Sequence, residues 1–445
     1  MDHTGFGLPV ADDIQRTLPM RVLYLSPRVC WPLRSGAHLR DFHLASQIAS
    51  RASLTLLGLD AEMPSAAEDV RYERLAELYD SETVRVRRAA GYGTVKLVRG
   101  FLGPTPVSIL NFTTATATAA LERLFREHTF DAVQVESVHL FAYAQRIRQI
   151  VPRVPMLCDW HNIESEIQDR YAENYSRGLR RLYARRTAHL LRRFEQKFLR
   201  LGDAHTVCSE RERQLLLALE PAARIEVIEN GVDVSYFSQV ERLPGGPRRS
   251  LVYVGLMEYH ANVDAVCYFA REVWPKVRQL RPELEFKIVG ARPTAEVMAL
   301  ASQNGISVTG TVDDLRPYYR EALAAVVPLR VGGGTRLKIL EAMAAGVPVV
   351  STSLGAEGLS AQDGKQILLA DTPSAMADAV AGLSEESPDW CSLSENGKRL
   401  VLSHYDWPVI GKKLVSVYAE NLGVSLEGSA REVQDSAPMG GIGID

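Results

Sequence analysis

The sequence has no feature of a membrane-spanning, disulfide-bonded or nucleic-acid-binding protein. It contains no run of about 18 apolar residues, so we expect no membrane-spanning helix. Its 51 basic and 54 acidic residues give a net charge of −3, which gives no general affinity for nucleic acid. Five cysteines are scattered without paired spacing, which predicts a reducing compartment and no structural zinc site: Cys30, Cys158, Cys208, Cys267 and Cys391.

What is present is a chain long enough for two or three domains. Its 445 residues are 46% hydrophobic and 24% charged, as in ordinary globular proteins. Short apolar runs alternate with amphipathic helical patterns, which predicts parallel sheets covered by helices on both faces. The predicted strands are 21–26, 53–59, 83–87, 131–136, 155–159, 204–208, 224–228, 250–254, 285–289, 306–309, 324–328, 347–351 and 366–369.

The alternation is interrupted near residues 230–231 and 243–247 and then restarts, which predicts two doubly wound, Rossmann-like α/β domains. In such sheets ligands bind at the carboxyl ends of the strands, so we expect the site in a cleft between the two sheets. The predicted division is 1–19, a flexible leader; 20–230, the N-terminal domain; 231–247, a linker; 248–404, the C-terminal domain; 405–422, a terminal helix; and 423–445, a disordered tail.

The segment 327–359 carries the strongest functional signal, because it places a strand, three glycines, a helix and another strand in succession. Gly332, Gly333 and Gly334 allow the backbone to approach a bulky anion. The helix is predicted to begin near Thr335, its N-cap, and to present free N–H groups and its dipole to a phosphate.

Two cations and one carboxylate follow on that helix. Arg336 and Lys338 lie in its predicted first turn, where a positive charge opposes the helix dipole at a cost of about 0.3–1 kcal/mol unless an anion is bound. Glu341 lies one turn beyond Lys338, where its carboxylate can accept hydrogen bonds from two ribose hydroxyls. The segment therefore predicts a binding site for a nucleotide diphosphate; the alternative is a glycine-rich turn before a solvated, charged helix.

This segment resembles the donor-site signature of the retaining glycosyltransferases of family 4, which have the GT-B fold. The likeness extends over roughly residues 20–422 and implies an acceptor-binding N-terminal domain that faces a nucleotide-sugar-binding C-terminal domain across a cleft. Four further elements resemble the family in order: ENGVDVSYF at 229–237, LVYVG at 251–255, GTVDD at 310–314 beside the nucleotide base, and YDW at 405–407, where a helix crosses back to the N-terminal domain.

The resemblance also implies roles for three residues outside the glycine-rich segment. Gly36 stands where the family has a glycine-rich loop near the phosphates and acceptor, and Gly255 ends the first strand of the nucleotide-binding half. His161 follows the strand 155–159, where family members carry a histidine that hydrogen-bonds the donor sugar or orients the acceptor hydroxyl. A plain turn at Gly36 and a structural histidine at 161 are the alternatives.

The sequence departs from the family pattern in two places. The usual Glu-x7-Glu pair is incomplete, because Glu341 matches its second member and Gly333 stands in place of the first. The donor sugar therefore cannot be carried over. The usual Arg and Lys after the strand 251–255 are also missing, and Arg336 and Lys338 are the predicted replacements, as in a subgroup whose loop reads GGGTRLK.

The resemblance predicts transfer of a hexose-type sugar from a nucleotide diphosphate sugar to a hydroxyl of a sugar or lipid-linked acceptor, with retention and in cell-surface polysaccharide or glycolipid assembly. The predicted catalytic residues are His161, Arg336 and Lys338, and no cofactor or metal is expected. A GT-B nucleotide-sugar epimerase and a non-catalytic sugar-nucleotide-binding module remain alternatives. A dinucleotide oxidoreductase does not fit, because neither half has a G-x-G-x-x-G turn after its first strand.

The stretch from Arg177 to Arg200 contains eight arginines, one lysine and one glutamate, with apolar residues at helical spacing. It is either a solvated helix packed on the sheet or a contact with an anionic membrane surface. We expect a cytoplasmic protein with no nucleic-acid partner, peripheral at the inner face of a membrane if the second interpretation holds. A second basic cluster lies in the same half: Arg85, Arg87, Arg88, Lys96 and Arg99.

Overall fold

The computed structural model describes residues 20–29, 36–60, 82–87, 93–174, 178–240, 248–332, 336–385 and 387–426. In this part of the chain the strands form two fully parallel sheets, of seven and six strands. Helices connect most of the successive strands. The predicted fold class of two Rossmann-like α/β domains is therefore confirmed.

The first domain holds the seven-stranded sheet. Its strands β1, β4 and β5 are almost entirely buried, which explains their continuous apolar sequences. The strands are β1 (Arg21–Ser26), β2 (Ser53–Asp60), β3 (Glu82–Arg87), β4 (Ala132–Glu136), β5 (Met156–Trp160), β6 (Ala204–Val207) and β7 (Ile225–Val227). The helices are α1 (Gly36–Ala49), α2 (Thr94–Leu102), α3 (Val107–Phe112), α4 (Ala115–Glu127), α5 (Phe141–Ile150), α6 (Glu164–Asn174), α7 (Leu179–Leu201) and α8 (Glu210–Leu219).

The second domain follows the short helix α9 (Val234–Ser238). Its strands are β8 (Ser250–Val254), β9 (Glu285–Val289), β10 (Ile306–Val308), β11 (Ala322–Val327), β12 (Val349–Ser351) and β13 (Leu368–Leu369). Its helices are α10 (His260–Tyr268), α11 (Trp274–Leu280), α12 (Ala295–Ala299), α13 (Arg316–Glu321), α14 (Leu337–Ala344), α15 (Pro373–Gly382) and α16 (Pro388–His404), with a π-helical turn at Phe269–Val273.

The strand orders place one topological switch point in each sheet. The orders are β3-β2-β1-β4-β5-β6-β7 and β10-β9-β8-β11-β12-β13. The direction of winding therefore reverses between β1 and β4 in the first sheet and between β8 and β11 in the second. Ligands of open α/β sheets bind beyond the carboxyl ends of the strands at such points.

The last described helix, α17 (Trp407–Leu422), packs on the first domain although it follows the second in sequence. Its buried residues join a core cluster with residues of β1, β2 and α1. The apolar residues that α17 contributes to this cluster are Trp407, Ile410, Leu414, Val417 and Tyr418. Among the described helices, none is long and apolar enough to cross a membrane.

Candidate active site

One half of the candidate site lies at the switch point of the second sheet. Gly255 follows β8, and α14 follows the loop after β11, so these segments meet at one sheet edge. The Lys338 ammonium donates hydrogen bonds to the Tyr253 hydroxyl and to Asn262 Oδ1, both at 2.9 Å. A Cβ at position 255 would lie 2.8 Å from Lys338 Nζ, so glycine at this position leaves room for the cation.

The position of Lys338 relates to the missing family cations. The segment 256–262, where the usual Arg and Lys are absent, ends at Asn262, and it is this side chain that Lys338 contacts. Helix α14 thus places an ammonium group against the segment that lacks one. The replacement of the missing cations by Lys338 stays a prediction, and this contact supports it.

The start of α14 differs from the sequence prediction. The helix begins at Leu337, with Arg336 as its N-cap in a non-helical conformation and with no side-chain cap. The placement of Arg336 in the first turn was therefore wrong, because its backbone has φ −90° and ψ 85°. Lys338 does lie in the first turn. The predicted residues Gly333, Gly334 and Thr335 lie outside the described residues.

Burial shifts the pKa of all three charged groups on this segment. Burial and the neighbouring Arg336 together lower the pKa of Lys338 to about 7. Burial also lowers the pKa of Arg336, which is only 8% exposed. It raises the pKa of Glu341 to about 7. An anion bound beside Arg336 and Lys338 would favour their charged forms, which burial alone disfavours.

The Glu341 carboxylate lies one helical turn beyond Lys338 on α14. It accepts a hydrogen bond of 3.3 Å from the Tyr319 hydroxyl. It also lines a cavity of about 20 Å3, together with Asp233, Tyr236 and Trp407. That volume suits about one water molecule and is too small for a ribose. A ribose therefore does not fit against Glu341 in this cavity.

Gly36 is the first residue of α1 and lies opposite α14. A Cβ at this position would lie 3.1 Å from Leu337 Cδ1. Gly36 therefore lets the first domain come close to the start of α14, where the two predicted cations lie.

The other half of the site lies at the switch point of the first sheet, around His161. His161 Nε2 lies 2.9 Å from Glu136 Oε2 at the end of β4 and 2.8 Å from Asp41 Oδ1 on α1. Asp159 Oδ2, on β5, is 3.7 Å from the same nitrogen. Sequence reasoning identified His161 but missed this carboxylate cluster around it; the one available signal was that Glu136 ends an apolar strand run.

The carboxylate cluster favours a protonated histidine. Burial alone would lower the pKa of His161, but Asp41 and Glu136 outweigh burial and raise it above its usual value. Burial opposes ionisation of Asp41, yet His161 and Arg28 hold its pKa well below its usual range. Burial and the nearby Asp159 raise the pKa of Glu136. The protonated, positively charged form of His161 is therefore favoured, and two carboxylates fix its orientation.

Arg40, also missed from the sequence, neutralises the third carboxylate. Its guanidinium donates to both oxygens of Asp159 at 2.8 and 2.6 Å, and to the Ile228 carbonyl at 2.8 Å. Arg40 is 1% exposed and Asp159 is fully buried. This ion pair ties α1 to β5 and to the end of β7 beneath the candidate site.

A line of hydrogen bonds connects the cluster to the last helix. Tyr418 on α17 donates to Gln134 Oε1 at 2.6 Å, and Gln134 Nε2 donates to Glu136 Oε1 at 2.7 Å. Because Glu136 in turn contacts His161, the packing of α17 bears on the orientation of the site histidine.

The donor atoms of Asp41, Glu136 and His161 lie within 4.8 Å of one another, a spacing that a metal ion could bridge. In this structure, however, the carboxylates contact the histidine directly, and Asp41 also pairs with Arg28 at 3.1 Å and accepts from Ser26 at 2.7 Å. The group is therefore best described as a hydrogen-bonded ion cluster.

A cavity of about 660 Å3 lies between the two domains. The first domain lines it chiefly with α6, including Ile167, Arg170 and Tyr171, and the second domain lines it with the loops after β8 and β11. Its wall on the second side includes Gly332, the first of the three glycines. Tyr259 and His260 also line the cavity.

Polar contacts bridge the cleft beside this cavity. Arg170 donates to the Gly332 carbonyl at 3.0 Å, and Arg211 lies 3.2 Å from Glu357. Both arginines also contact Glu166 in the first domain. These contacts hold the two domains together next to the glycine-rich loop, and no sequence signal pointed to them.

Two family models match the chain over its two sheets. The model described as "Glycosyl transferases group 1" matches residues 248–386, and the model described as "Glycosyltransferase Family 4" matches residues 73–236. With the paired Rossmann-like domains, these matches define a protein of the GT-B glycosyltransferase class. The chain is thus a GT-B glycosyltransferase, and the family 4 model covers most of its first domain.

Curated relatives are similar over part of their length. Phosphatidyl-myo-inositol mannosyltransferase of Mycobacterium tuberculosis is 28% identical over 217 residues, which cover 46% of this chain and 56% of that protein. The GDP-mannose-dependent alpha-(1-6)-phosphatidylinositol monomannoside mannosyltransferase of the same organism is 27% identical, covering 48% of this chain and 62% of that protein. The chain thus spans little more than half the length of these relatives.

Solved structures resemble the whole described fold. Sucrose-phosphate synthase from Thermosynechococcus elongatus superposes with a TM-score of 0.63 at 16% identity, covering 90% of this chain and 98% of that one. Anabaena HepE, solved with UDP and glucose, superposes with a TM-score of 0.59 at 14% identity, covering 90% and 99%. At these identities the likeness shows the fold alone.

Proposed function

We propose that this protein transfers a hexose-type sugar from a nucleotide diphosphate sugar to an acceptor hydroxyl, with retention of anomeric configuration. The observation that carries the proposal is the pair of cations at the start of α14, where Arg336 is buried and Lys338 is partly buried. Burial disfavours the charged forms of both groups, and the carboxylate of Glu341 lies one turn beyond Lys338. A bound diphosphate with its ribose would favour the charged cations and bring two hydroxyls to Glu341.

The proposed chemistry follows from where charge develops. The bond between the sugar anomeric carbon and the β-phosphate oxygen breaks, and negative charge grows on that phosphate. Lys338 and Arg336 stabilise this charge, usually the largest catalytic contribution, and no metal is then needed. The acceptor oxygen forms the new bond to the anomeric carbon, and its proton passes to the departing phosphate. His161, held by Asp41 and Glu136, orients a sugar hydroxyl.

The acceptor side of the proposal draws on the relatives. Two of them are named for mannosyl transfer to phosphatidylinositol compounds, which supports a hexose donor and a lipid-linked acceptor here. Such an acceptor would place the protein at the inner face of a membrane, in polysaccharide or glycolipid assembly. Because the cavity at Glu341 is too small for a ribose, donor entry requires the two domains to separate and then close.

Acceptor-dependent release of nucleotide diphosphate tests the proposed function. The protein is incubated with a panel that includes GDP-mannose and UDP-glucose, with and without a lipid extract. Glu341→Ala is expected to weaken donor binding at least about tenfold, since two hydrogen bonds to a charged group are lost, whereas the exposed control Glu420→Ala leaves it unchanged. Conversion of the donor without acceptor would identify an epimerase, and binding without turnover would identify a binding module.

The pH dependence of kcat/KM should be bell-shaped with its maximum near pH 7. Burial raises the pKa of Glu341 to about 7, so the required carboxylate is lost as the pH falls. Burial lowers the pKa of Lys338 to about 7, so the required ammonium is lost as the pH rises. Since kcat/KM reports the free enzyme, Lys338→Arg should remove the alkaline limb and leave the acid limb in place. An alkaline limb that persists in Lys338→Arg would show that another group causes it.

A further inference from the structure

Helix α2 exposes a stripe of large apolar side chains. Val95 is 71% exposed, Val98 53%, Phe101 56% and Leu102 75%. These positions are three and four residues apart, so they lie along one side of the helix. A helix of a globular protein ordinarily turns such a stripe towards the core, and here it faces outwards.

The exposed stripe belongs to a helix that is anchored to its neighbours α3 and α7. Gly100 packs so closely on α3 that a Cβ there would lie 1.9 Å from Val107 Cγ2. The Phe101 ring stacks on Tyr183 of α7, with centroids 5.3 Å apart and 12° between planes. The Arg186 guanidinium donates to the Gly100 and Gly103 carbonyls at 3.1 and 2.6 Å. These contacts fix α2 against α7.

The first two turns of α7 extend the same surface. Leu179 is 86% exposed and Leu182 is 66% exposed. The buried residues of this helix begin only at Ala184. Exposed arginines lie on the same turns: Arg180, Arg181 and Arg185. Further along α7, Arg192 pairs with Asp169 and Arg200 pairs with Glu220.

We propose that α2 and the first two turns of α7 form a docking surface for an anionic lipid bilayer. The apolar side chains enter the boundary between headgroups and acyl chains, while the arginines contact lipid phosphates. Charge complementarity selects this partner, because the cationic residues are concentrated here in a chain whose net charge is −3. The surface is narrower than the predicted stretch Arg177–Arg200 and includes α2, which carries Lys96 and Arg99 of the predicted second basic cluster.

The docking surface lies close to the cavity between the domains. Helix α6, which packs along α7, carries Ile167 and Tyr171 in the cavity wall, and both are more than 40% exposed. A lipid-linked acceptor could therefore pass from the bilayer along α6 to the cavity. This part of the inference rests on the proposed function, whereas the docking surface itself does not.

Flotation with phospholipid vesicles tests the docking surface. The wild-type protein is expected to float with vesicles that contain anionic phospholipid, and less so at high salt. Val98→Asp/Leu182→Asp should lower the partition coefficient at least about tenfold, because two apolar insertions are lost. Arg180→Gln/Arg181→Gln should lower it by about fivefold per arginine. The control Leu402→Asp, at a side chain 57% exposed on α16, should float like the wild type.

Two outcomes would overturn the docking surface. Equal flotation of the wild type and Val98→Asp/Leu182→Asp would show that these residues do not enter lipid. A wild type that does not float but forms dimers that this variant lacks would show that a second copy covers the surface. If instead no nucleotide sugar is turned over while flotation follows the expected order, the proposed function fails and the docking surface stands.

Discussion

Replacing Lys338 with methionine is expected to lower kcat about 100-fold or more while the donor dissociation constant changes less than about tenfold. The reason is that charge on the β-phosphate is greatest as its bond to the sugar breaks, so the ammonium stabilises the transition state more than the bound donor. Initial-rate kinetics and calorimetric titration measure the two quantities. Lys412→Met, an exposed lysine on α17, is the matched control and should retain both values.

A second substitution makes this expectation more specific. Asn262 lies 2.9 Å from Lys338 Nζ, so Asn262→Lys in the Lys338→Met background returns an ammonium group to nearly the same place. We expect it to recover on the order of tenfold in kcat. A folded double variant that binds donor but recovers no turnover would contradict the view that α14 supplies the cation absent from segment 256–262.

Replacing Arg40 with methionine is expected to lower the free energy of unfolding by about 3–5 kcal/mol at pH 7. The substitution removes both hydrogen bonds to Asp159 and leaves its carboxylate buried beside Glu136 and Asp41. Urea denaturation followed by tryptophan fluorescence measures the change. Arg51→Met is the control, since Arg51 donates to the neighbouring Gln47 and Ser50, and its replacement should change stability by less than about 0.5 kcal/mol.

The pH dependence of the stability loss in Arg40→Met distinguishes the loss of an ion pair from the loss of packing contacts. Burial opposes ionisation of Asp159, but Arg40 lowers its pKa in the folded protein. Its contribution to stability is therefore present above the unfolded pKa of about 3.9 and is lost as the pH falls through the folded value. Without Arg40 the folded pKa rises, so the deficit of Arg40→Met should shrink as the pH falls. A deficit that is constant with pH would indicate packing alone.

The strands could be predicted well because both sheets are covered on both faces. Buried parallel strands have continuous apolar sequences, and the predicted strands 21–26, 250–254 and 285–289 have the observed bounds of β1, β8 and β9. The predicted strand ends differ from the observed ones where apolar residues continue beyond the hydrogen-bonded part of the strand. In the predicted strand 347–351, β12 begins only at Val349, because Pro348 has no N–H group to donate to a neighbouring strand.

The chemistry of the site could be predicted only in part. Lys338 and Glu341 were found because they are close in sequence on one helix, and the family pattern pointed to that helix. The partners Asp41 and Glu136 were missed because they are distant from His161 in sequence and approach it only through the strand order β1-β4-β5. Apolar periodicity does not specify which strands are neighbours, so it could not bring these carboxylates together.

The return of α17 to the first domain has a consequence for how the chain folds during synthesis. Trp407, Ile410 and Leu414 complete a core whose other residues come mainly from the first domain, including β1, β2 and α1. A ribosome releases the whole first sheet long before it makes these residues, so one apolar face of the nascent domain stays uncovered while the second domain is translated. A fragment that ends before α17 should therefore aggregate more readily than the full chain. The domain that is made first is completed last.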